Sequence, residues 1–165
     1  MSKQLLLTQG QIAIVDDADY EWLNRWKWRA CKSHHTWYAV RTTSRKNGKQ
    51  TMILMHRLLL GLEAGDPRET DHKDGNGLNN RKSNLRIASD SQNSQNRRPQ
   101  KGTSIYKGVY WHRHNAKWHA HIKVEGRSIH LSSFDSEIEA ARAYDAAARN
   151  HFGEFARLNF RIGDI

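Results

Sequence analysis

Hydrophobic and polar residues alternate most regularly near the C-terminus, in "KWHAHIKV" and in the segments on either side of it. Successive side chains of an extended strand point to opposite faces of a sheet, so a period of two predicts a strand with one apolar and one polar face. The predicted apolar face carries Trp118, Ala120, Ile122 and Val124, and the predicted polar face carries Lys117, His119, His121 and Lys123.

The segments that flank this strand predict two more strands and a helix. "YKGVYWHR" precedes it, and Glu125-Gly126 forms a tight turn into "RSIHLSSF". In "DSEIEAARAYDAAARNHFG", Ser136 and Glu139 form a capping box and Gly153 is a helix stop. A narrow stripe of Ala141, Tyr144, Ala148 and Phe152 lets the helix lie close to a sheet. We therefore predict a three-stranded antiparallel sheet with one helix across its apolar face.

The N-terminal part has shorter periodic runs. "QLLLTQGQIAIVD" predicts two strands around Gly10, and the following "DDADYEWLNRWKWRA" predicts a helix with an Asp cap and with Tyr20, Leu23 and Trp26 on one face. "WYAVRTT" and "TMILMH" flank Asn47-Gly48, which is typical of a hairpin turn. "HRLLLGL" then begins a short helix.

The stretch from Glu69 to Arg98 predicts a hairpin followed by a helix, and it is rich in Asp, His and Asn. Asp71 and Asn93 then face each other across the hairpin and helix, as two oxygen ligands suited to Mg²⁺ or Mn²⁺. His72 is placed to take a proton from an attacking water, and Asn84 to orient His72 and hold the loop. Arg97 and Arg98 are placed to hold a phosphodiester backbone. The alternative is ordinary turn chemistry.

Charge and cysteine content narrow the class of protein. The 165 residues carry a formal net charge of +10, which favours a polyanionic partner such as nucleic acid. One cysteine excludes a disulfide framework and a cysteine-rich zinc module. The sequence has no signal peptide and no apolar run long enough to span a bilayer. We expect a cytoplasmic protein that is not secreted.

The central stretch resembles the HNH nucleases, from "MHRLLLG" to "SQNSQNR", and in particular the phage homing endonucleases. The resemblance implies a ββα-metal core with Asp71 and Asn93 as metal ligands, His72 as general base and Asn84 as the orienting asparagine. His56 matches a recurrent histidine of that family, for which we favour a structural role or a phosphate contact. Asn96 competes with Asn93 as the ligand. The resemblance also implies a phage-infected or bacterial cell.

Residues Ile105 to Phe160 resemble the apetala-type AP-two/ERF domain through "YKGV", "KWHAHI", "SSFDSEIEAARAYDAAA" and "ARLNF". The resemblance implies that the open sheet face binds the DNA major groove. Family arginines, a glutamate and a tryptophan are replaced by Lys107, Tyr110, Lys123, His121 and His130, so the family's target sequence is not carried over. The predicted DNA-binding residues, including those before the sheet, are Arg97, Arg98, Lys101, Lys107, Tyr110, His112, Arg113, Lys117, His119, His121, Lys123 and His130.

Two alternatives exist for the histidines of this face, a zinc site and a solvated polar surface, and we favour DNA contact over both. Trp111 and Trp118 are assigned to the core rather than to base stacking. The predicted fold class is α+β, with the HNH module followed by the three-stranded sheet and its helix. The predicted segments are 1–54 and 55–97 for the nuclease module, 98–104 for a basic linker and 105–160 for the DNA-binding domain.

The combined hypothesis is a metal-dependent DNA endonuclease of the homing or mobile type, whose C-terminal sheet selects the site on double-stranded DNA. It requires Mg²⁺ or Mn²⁺, no organic cofactor and no membrane, and it leaves the oligomeric state open. The first alternative is a non-catalytic, sequence-specific DNA-binding regulator that uses the HNH fold as a scaffold. The second is a structural RNA-associated protein.

Overall fold

The computed structural model describes residues 1–33, 36–43, 50–99 and 101–160. The chain forms two compact units, residues 1–90 and residues 91–165. The predicted α+β class with antiparallel sheets and a packed C-terminal helix is confirmed. The finer segment boundaries stay predictions. None of the helices in the described ranges is long and apolar enough to cross a membrane.

The N-terminal unit begins with an antiparallel hairpin of β1 (Ser2–Leu6) and β2 (Ile12–Asp16). The tight connection through Thr8–Gly10 places Gln9 and Gly10 at positive φ, a conformation that glycine adopts readily. Leu5, Ala13 and Val15 are buried while their neighbours along each strand are more exposed. The two strands predicted around Gly10 are thus confirmed.

Helix α1 (Asp17–Leu23) is shorter than predicted. Leu23 is fully buried at its end, but Trp26 lies beyond the helix and 40 % of its surface is exposed. Asp16 occupies the N-cap position without a side-chain capping bond; its carboxylate accepts the Lys82 backbone N–H instead, at 2.8 Å. The prediction that Trp26 shares a helical face with Tyr20 and Leu23 was wrong, because the helix ends one turn early.

A three-stranded antiparallel sheet follows, in the order β3 (Arg29–Ser33), β4 (Thr36–Thr42), β5 (Met52–Leu54). Strands β4 and β5 confirm the predicted pairing, while the Asn47-Gly48 turn lies outside the described residues. The predicted short helix is α2 (Met55–Leu59), in which Met55 and Leu59 are buried.

The Asp-, His- and Asn-rich stretch forms a hairpin of β6 (Glu69–His72) and β7 (Leu85–Ala88), followed by α3 (Asp90–Gln95). The loop between the strands is tied to β2, since Ile14 N–H donates to Leu78 O at 2.8 Å and its carbonyl accepts Asn80 N–H at 2.7 Å. The strand–strand–helix order is confirmed. These elements alone do not show the metal-centred arrangement of an HNH core.

The core of the N-terminal unit draws on β1, β2, α1, the three-stranded sheet and the hairpin loop. Gly77 lies so close to β4 that a Cβ there would come within 2.5 Å of Trp37 O and 2.6 Å of the Tyr38 ring. The loop therefore packs directly on the sheet. The buried core residues are Leu5, Leu7, Ala13, Val15, Leu23, Trp28, Ala30, Ala39, Met55, Leu59, Leu78 and Leu85.

The C-terminal unit contains an antiparallel sheet in the order β10 (Arg127–Phe134), β9 (Lys117–Val124), β8 (Val109–His112), with helix α4 (Glu137–Phe152) across one face. The predicted helix stripe is confirmed: Ala141 and Ala148 are fully buried, Tyr144 nearly so, and Phe152 packs beside them.

Two local predictions for α4 have different outcomes. The helix ends at Gly153, whose φ of +52° suits glycine, as predicted. Ser136 is the N-cap residue, but within the described part of the chain its side chain makes no capping bond, so the predicted capping box was wrong. The nearby Glu137 carboxylate instead accepts the Ser104 hydroxyl at 2.7 Å.

Buried Asp145 anchors the chain that follows α4. Its carboxylate accepts the backbone N–H groups of Asn159, at 2.8 and 3.0 Å, and of Phe160, at 3.0 Å. The Asn159 side chain in turn accepts the Lys107 N–H and donates to the Lys107 carbonyl. The segment after the helix is thereby fixed to the start of the sheet.

Candidate nucleic-acid interface

The sheet face opposite α4 carries a line of imidazole and phenol side chains. Strand pairing places Tyr110 opposite His119 and His121 opposite His130, on the face that the alternation predicts to be polar. Ala120 and Ile122, which alternate with them, are buried under the helix. The predicted division of the strand into an apolar and a polar face is therefore confirmed, and we call this polar surface the open face.

A chain of hydrogen bonds crosses the open face. His112 Nδ1 lies 2.9 Å from Asn115 Oδ1, Asn115 Nδ2 lies 3.0 Å from His119 Nε2, and His119 Nδ1 lies 3.3 Å from the Tyr110 hydroxyl. Because an amide nitrogen only donates, His119 Nε2 accepts, and the neutral ring carries its proton on Nδ1. Sequence reasoning missed Asn115; its position in the turn between two histidine-bearing strands was the available signal.

The same rings also stack closely. The His112 and His119 rings are 4.5 Å apart and nearly parallel, and His130 lies 4.9 Å from His119. Tyr110 lies 5.3 Å from His121. Burial, together with the charges of His112 and His130, lowers the pKa of His119 below its usual value. The lowered pKa favours the neutral form of His119, which donates and accepts hydrogen bonds at the centre of the open face.

Cations surround this centre. Lys123 and Arg113 are exposed, and Lys117 pairs with the exposed carboxylate of Asp135. The arrangement combines hydrogen-bonding rings in the middle with cationic side chains at the edge. Such a surface has groups suited both to base edges and to phosphates.

The predicted DNA contacts outside the open face differ in their surroundings. Arg97, Arg98 and Lys101 are exposed. Lys107 is half-buried, and its ammonium group donates to the backbone carbonyls of Gln95 and Arg97. Burial, with help from the charges of Arg157 and Arg97, lowers the pKa of Lys107 to about 8. Lys107 thus holds the chain that enters the sheet.

Trp111 and Trp118 face each other on neighbouring strands, edge to face with ring centres 5.1 Å apart. Trp118 packs against the core formed by Val109, Ala120, Ala140 and Ala141. Their cross-strand position places them on the helix side of the sheet rather than on the open face.

The residues predicted to be catalytic lie in the β6–β7 hairpin. Asn84 is buried; its Nδ2 donates to Asp74 Oδ1 at 3.0 Å and to Asn79 O at 2.8 Å, and its Oδ1 accepts Asp74 N–H. His72 Nε2 lies 3.5 Å from Asn80 Oδ1. Asn84 therefore holds the loop, and Asn80 contacts the histidine. Burial would raise the pKa of Asp74, but the hydrogen bonds from Asn79, Asn76 N–H and Asn84 outweigh it and lower that pKa.

The predicted metal ligands are Asp71 and either Asn93 or Asn96, and Asp71 is bonded to an arginine. Asp71 Oδ2 accepts from Arg86 Nε at 2.9 Å and from an Arg86 terminal nitrogen at 2.6 Å, and both side chains are almost buried. The buried Arg86 guanidinium would compete with a cation for Asp71 Oδ2. Asn93 is half-buried in α3 and Asn96 is buried just beyond it.

Two histidine rings meet inside the N-terminal unit. His56 and His72 are buried with ring centres 4.9 Å apart, and Tyr38 lies 5.3 Å from the first and 5.9 Å from the second. Burial, with the charges of His72 and Arg57, lowers the pKa of His56 to about 3. Burial also lowers the pKa of His72, although Asn80, Asp74 and Asp71 oppose it.

Across residues 1–33, 36–43, 50–99 and 101–160, no group of three or more His, Cys, Asp or Glu side chains is arranged to hold a metal ion. The Arg86 guanidinium occupies Asp71 Oδ2, one of the oxygens that the predicted ligand pair of Asp71 and Asn93 would offer. A Mg²⁺ or Mn²⁺ ion on Asp71 with Asn93 or Asn96 stays a prediction from the sequence.

Comparison with known proteins identifies the C-terminal part. Residues 104–154 match the family model of the AP2 domain. The AP2-like ethylene-responsive transcription factor TOE2 of Arabidopsis thaliana is 43 % identical over 68 residues, which cover 41 % of this chain and 14 % of that protein. The APETALA2-like protein 2 of Oryza sativa subsp. indica is 40 % identical over 68 residues, covering 41 % of this chain and 16 % of that protein. The matches thus span under a fifth of the length of these relatives.

The prediction of an endonuclease was wrong, and with it the expected hydrolase activity, the HNH assignment and the phage setting. The matching family model is that of the AP2 domain, and the Arabidopsis thaliana relative TOE2 is named a transcription factor. In the hairpin, Asn84 donates to Asp74 and to the Asn79 carbonyl, and Arg86 donates to Asp71; bonds of this kind hold a loop in place without any catalytic role. The part of the family prediction that is confirmed is the C-terminal one: residues 104–154 form an AP2 domain.

Proposed function

We propose that this protein is a sequence-specific DNA-binding regulator, and that the open face of its C-terminal sheet binds double-stranded DNA. The observation that carries the proposal is the AP2-domain match at residues 104–154, which falls on the sheet and on the helix that covers its other face. The open face is the side of that sheet left uncovered by α4.

The shape of this surface supports major-groove binding. A short antiparallel sheet fits the major groove, where each base pair presents a distinct set of donors and acceptors. Strands β8, β9 and β10 each place side chains on the open face, so these side chains can reach several adjacent base pairs. Helix α4 keeps the sheet in one shape, because its small residues pack directly on Ala120 and Ile122.

The side chains of the open face and its edge fall into two chemical groups. Lys123 and Arg113 are exposed cations, suited to phosphate contacts that position the domain. His121 and His130, paired across β9 and β10, offer one donor and one acceptor each in their neutral form and are suited to base edges. His119 is hydrogen-bonded to Asn115 and Tyr110, so it fixes the positions of these two side chains on the open face.

Selection of bound sequences from a random duplex library tests the proposal. We expect enrichment of one short motif. Lys123→Ala should weaken binding to all sequences alike, whereas His130→Ala should relax base preference at one position, by about 1–3 kcal/mol. Arg142→Ala, which removes an exposed cation from α4, is the matched control and should leave both properties intact.

Failure to enrich any motif, or equal effects of Lys123→Ala and Arg142→Ala, would contradict the proposal. Stronger binding to double-stranded RNA than to duplex DNA in direct competition would also contradict it, because a sheet cannot enter the deep and narrow major groove of A-form RNA.

A further inference from the structure

The N-terminal unit has a cleft that none of these functions uses. It has a volume of about 390 Å³ and lies where the chain leaves α1 and enters β3, beside the end of β4. Two tryptophans and three cations line it: Trp26, Trp28, Lys27, Arg29 and Arg41. The described residues of its wall include no carboxylate. An uncompensated positive charge beside aromatic rings is the unusual feature of this cleft.

The Arg41 guanidinium lies over the rings of both tryptophans. Its guanidinium carbon lies 4.4 Å from the centre of the Trp26 ring and 5.7 Å from that of Trp28. Arg41 Nε is buried and has no hydrogen-bond acceptor among the described residues. Among the described residues the fold therefore positions a cation without giving that N–H an acceptor, and an anion in the cleft would supply one.

Trp26 is more exposed to solvent than Trp28. Trp28 is buried and its Nε1 donates to Leu23 O at 2.9 Å, so it belongs to the core. Trp26 is 40 % exposed, and its ring is braced by the edge of Trp22 at a centre-to-centre distance of 5.9 Å. An exposed indole lowers the solubility of a protein. The Trp26 indole is nevertheless left at the surface, in the cleft wall that also contains Lys27 and Arg29.

We propose that this cleft binds a nucleotide unit of single-stranded DNA, with the base against Trp26 and the phosphate near Lys27, Arg29 and Arg41. Single-strand sites combine stacking aromatics with cations that follow the backbone, and they accept any base because every base has a flat face. A duplex does not offer an unstacked base, and the cleft has the size for about one nucleotide. The proposal is independent of the open face and of the duplex binding assigned to it.

The test uses the full chain and a hexamer of deoxythymidine as the probe. Indole N–H signals are recorded by NMR, and Trp26→Phe identifies the Trp26 signal. We expect the hexamer to shift that signal in a saturable way. In fluorescence anisotropy with the labelled hexamer, Trp26→Ala should lower affinity at least about fivefold, as loss of one stacked base predicts.

Charge reversal supplies the matched pair. Lys27→Glu places a negative charge in the cleft, whereas Arg25→Glu makes the same change on an exposed neighbour that does not line it. We expect Lys27→Glu to abolish the shift of the Trp26 signal and Arg25→Glu to retain it, with the other indole signals unchanged in both variants as a check of folding.

Three results would overturn the assignment. The first is a Trp26 signal that does not move with the hexamer, and the second is an equal effect of the two charge reversals. The third is an equal shift produced by inorganic phosphate alone, which would show anion binding without a base. None of these results bears on duplex binding by the open face, which is measured separately.

Discussion

His56 and His72 are buried, uncharged imidazoles in contact with each other, and their setting links stability to pH. Both pKa values lie below the ordinary value for histidine, mainly because burial penalises the charged ring. The stabilisation from a lowered histidine pKa is complete above about pH 6.5 and is lost as the pH falls towards the folded value. The N-terminal unit is therefore expected to weaken in mild acid.

We predict that acidification from pH 7 to pH 5 lowers the free energy of unfolding by about 2 kcal/mol through His56 alone, given its pKa of about 3. His56→Phe removes this titration, and it costs no hydrogen bond at Nδ1, which has no partner among the described residues. Urea unfolding at both pH values should show a smaller loss for this variant. His151→Phe, on the exposed end of α4, should retain the full loss; a His56→Phe variant that behaves in the same way would contradict the prediction.

At the scale of elements, the contact between β8 and α4 depends on a residue without a side chain. Gly108 has a φ of +75°, and a Cβ there would lie 2.0 Å from Tyr144 Cδ2 and 2.7 Å from His121 O. Its carbonyl accepts the His121 N–H at 2.8 Å, so it is also part of the sheet. The buried ring of Tyr144 occupies the space that a side chain would need, and this lets the helix lie directly on the strands.

We predict that Gly108→Ala destabilises the C-terminal unit by more than about 2 kcal/mol, because it combines a strained φ with a clash against packed atoms. Gly126→Ala is the matched control, since Gly126 has a φ of +81° but nothing within 4 Å of its added Cβ. It should cost about 1 kcal/mol from backbone strain alone. Urea unfolding followed through Trp111 and Trp118 measures both, and equal losses would refute the role assigned to the Tyr144 contact.

At the scale of the molecule, a net charge of +10 is distributed over two units that each have their own core. Exposed Arg97, Arg98 and Lys101 precede the AP2 domain, Lys123 lies on its open face, and Arg113 lies in the turn after β8. Charge of this kind sets affinity for a polyanion and its dependence on salt, without selecting a sequence.

Duplex binding is therefore predicted to weaken with salt, with a log–log slope of about −0.9 for each phosphate contacted. Lys101→Ala should make the slope shallower by about one contact and leave the selected motif the same. Arg142→Ala again serves as the control. Equilibrium binding titrations from about 50 to about 200 mM salt provide the slopes. An unchanged slope for Lys101→Ala would show that this lysine makes no phosphate contact.

Much of the local structure was predictable from short-range pattern. The alternation around His119 placed Ala120 and Ile122 in the core, and helical spacing placed Tyr144 and Ala148 on the buried stripe. Prediction failed at the end of α1, where Trp26 lies beyond the helix instead of on its buried face. Local pattern also gave no sign of long-range partners: Arg86, on the paired strand, binds Asp71, and Lys107 donates to backbone carbonyls. The metal-ligand role of Asp71 and the DNA contact of Lys107 stay predictions.

The sequence by itself determined the strands of the C-terminal sheet and helix α4 with their faces, because the period of two in a strand and the helical period depend only on neighbours along the chain. Tertiary structure decided which side chains meet. The register of β8, β9 and β10, with its shift between His130 and Ser132, brings His112, His119 and His130 together. Strand pairing likewise joins Arg86 to Asp71, and the fold of the first unit places Arg41 over two tryptophan rings. These contacts arise from residues distant in the chain, whose approach no local pattern specifies.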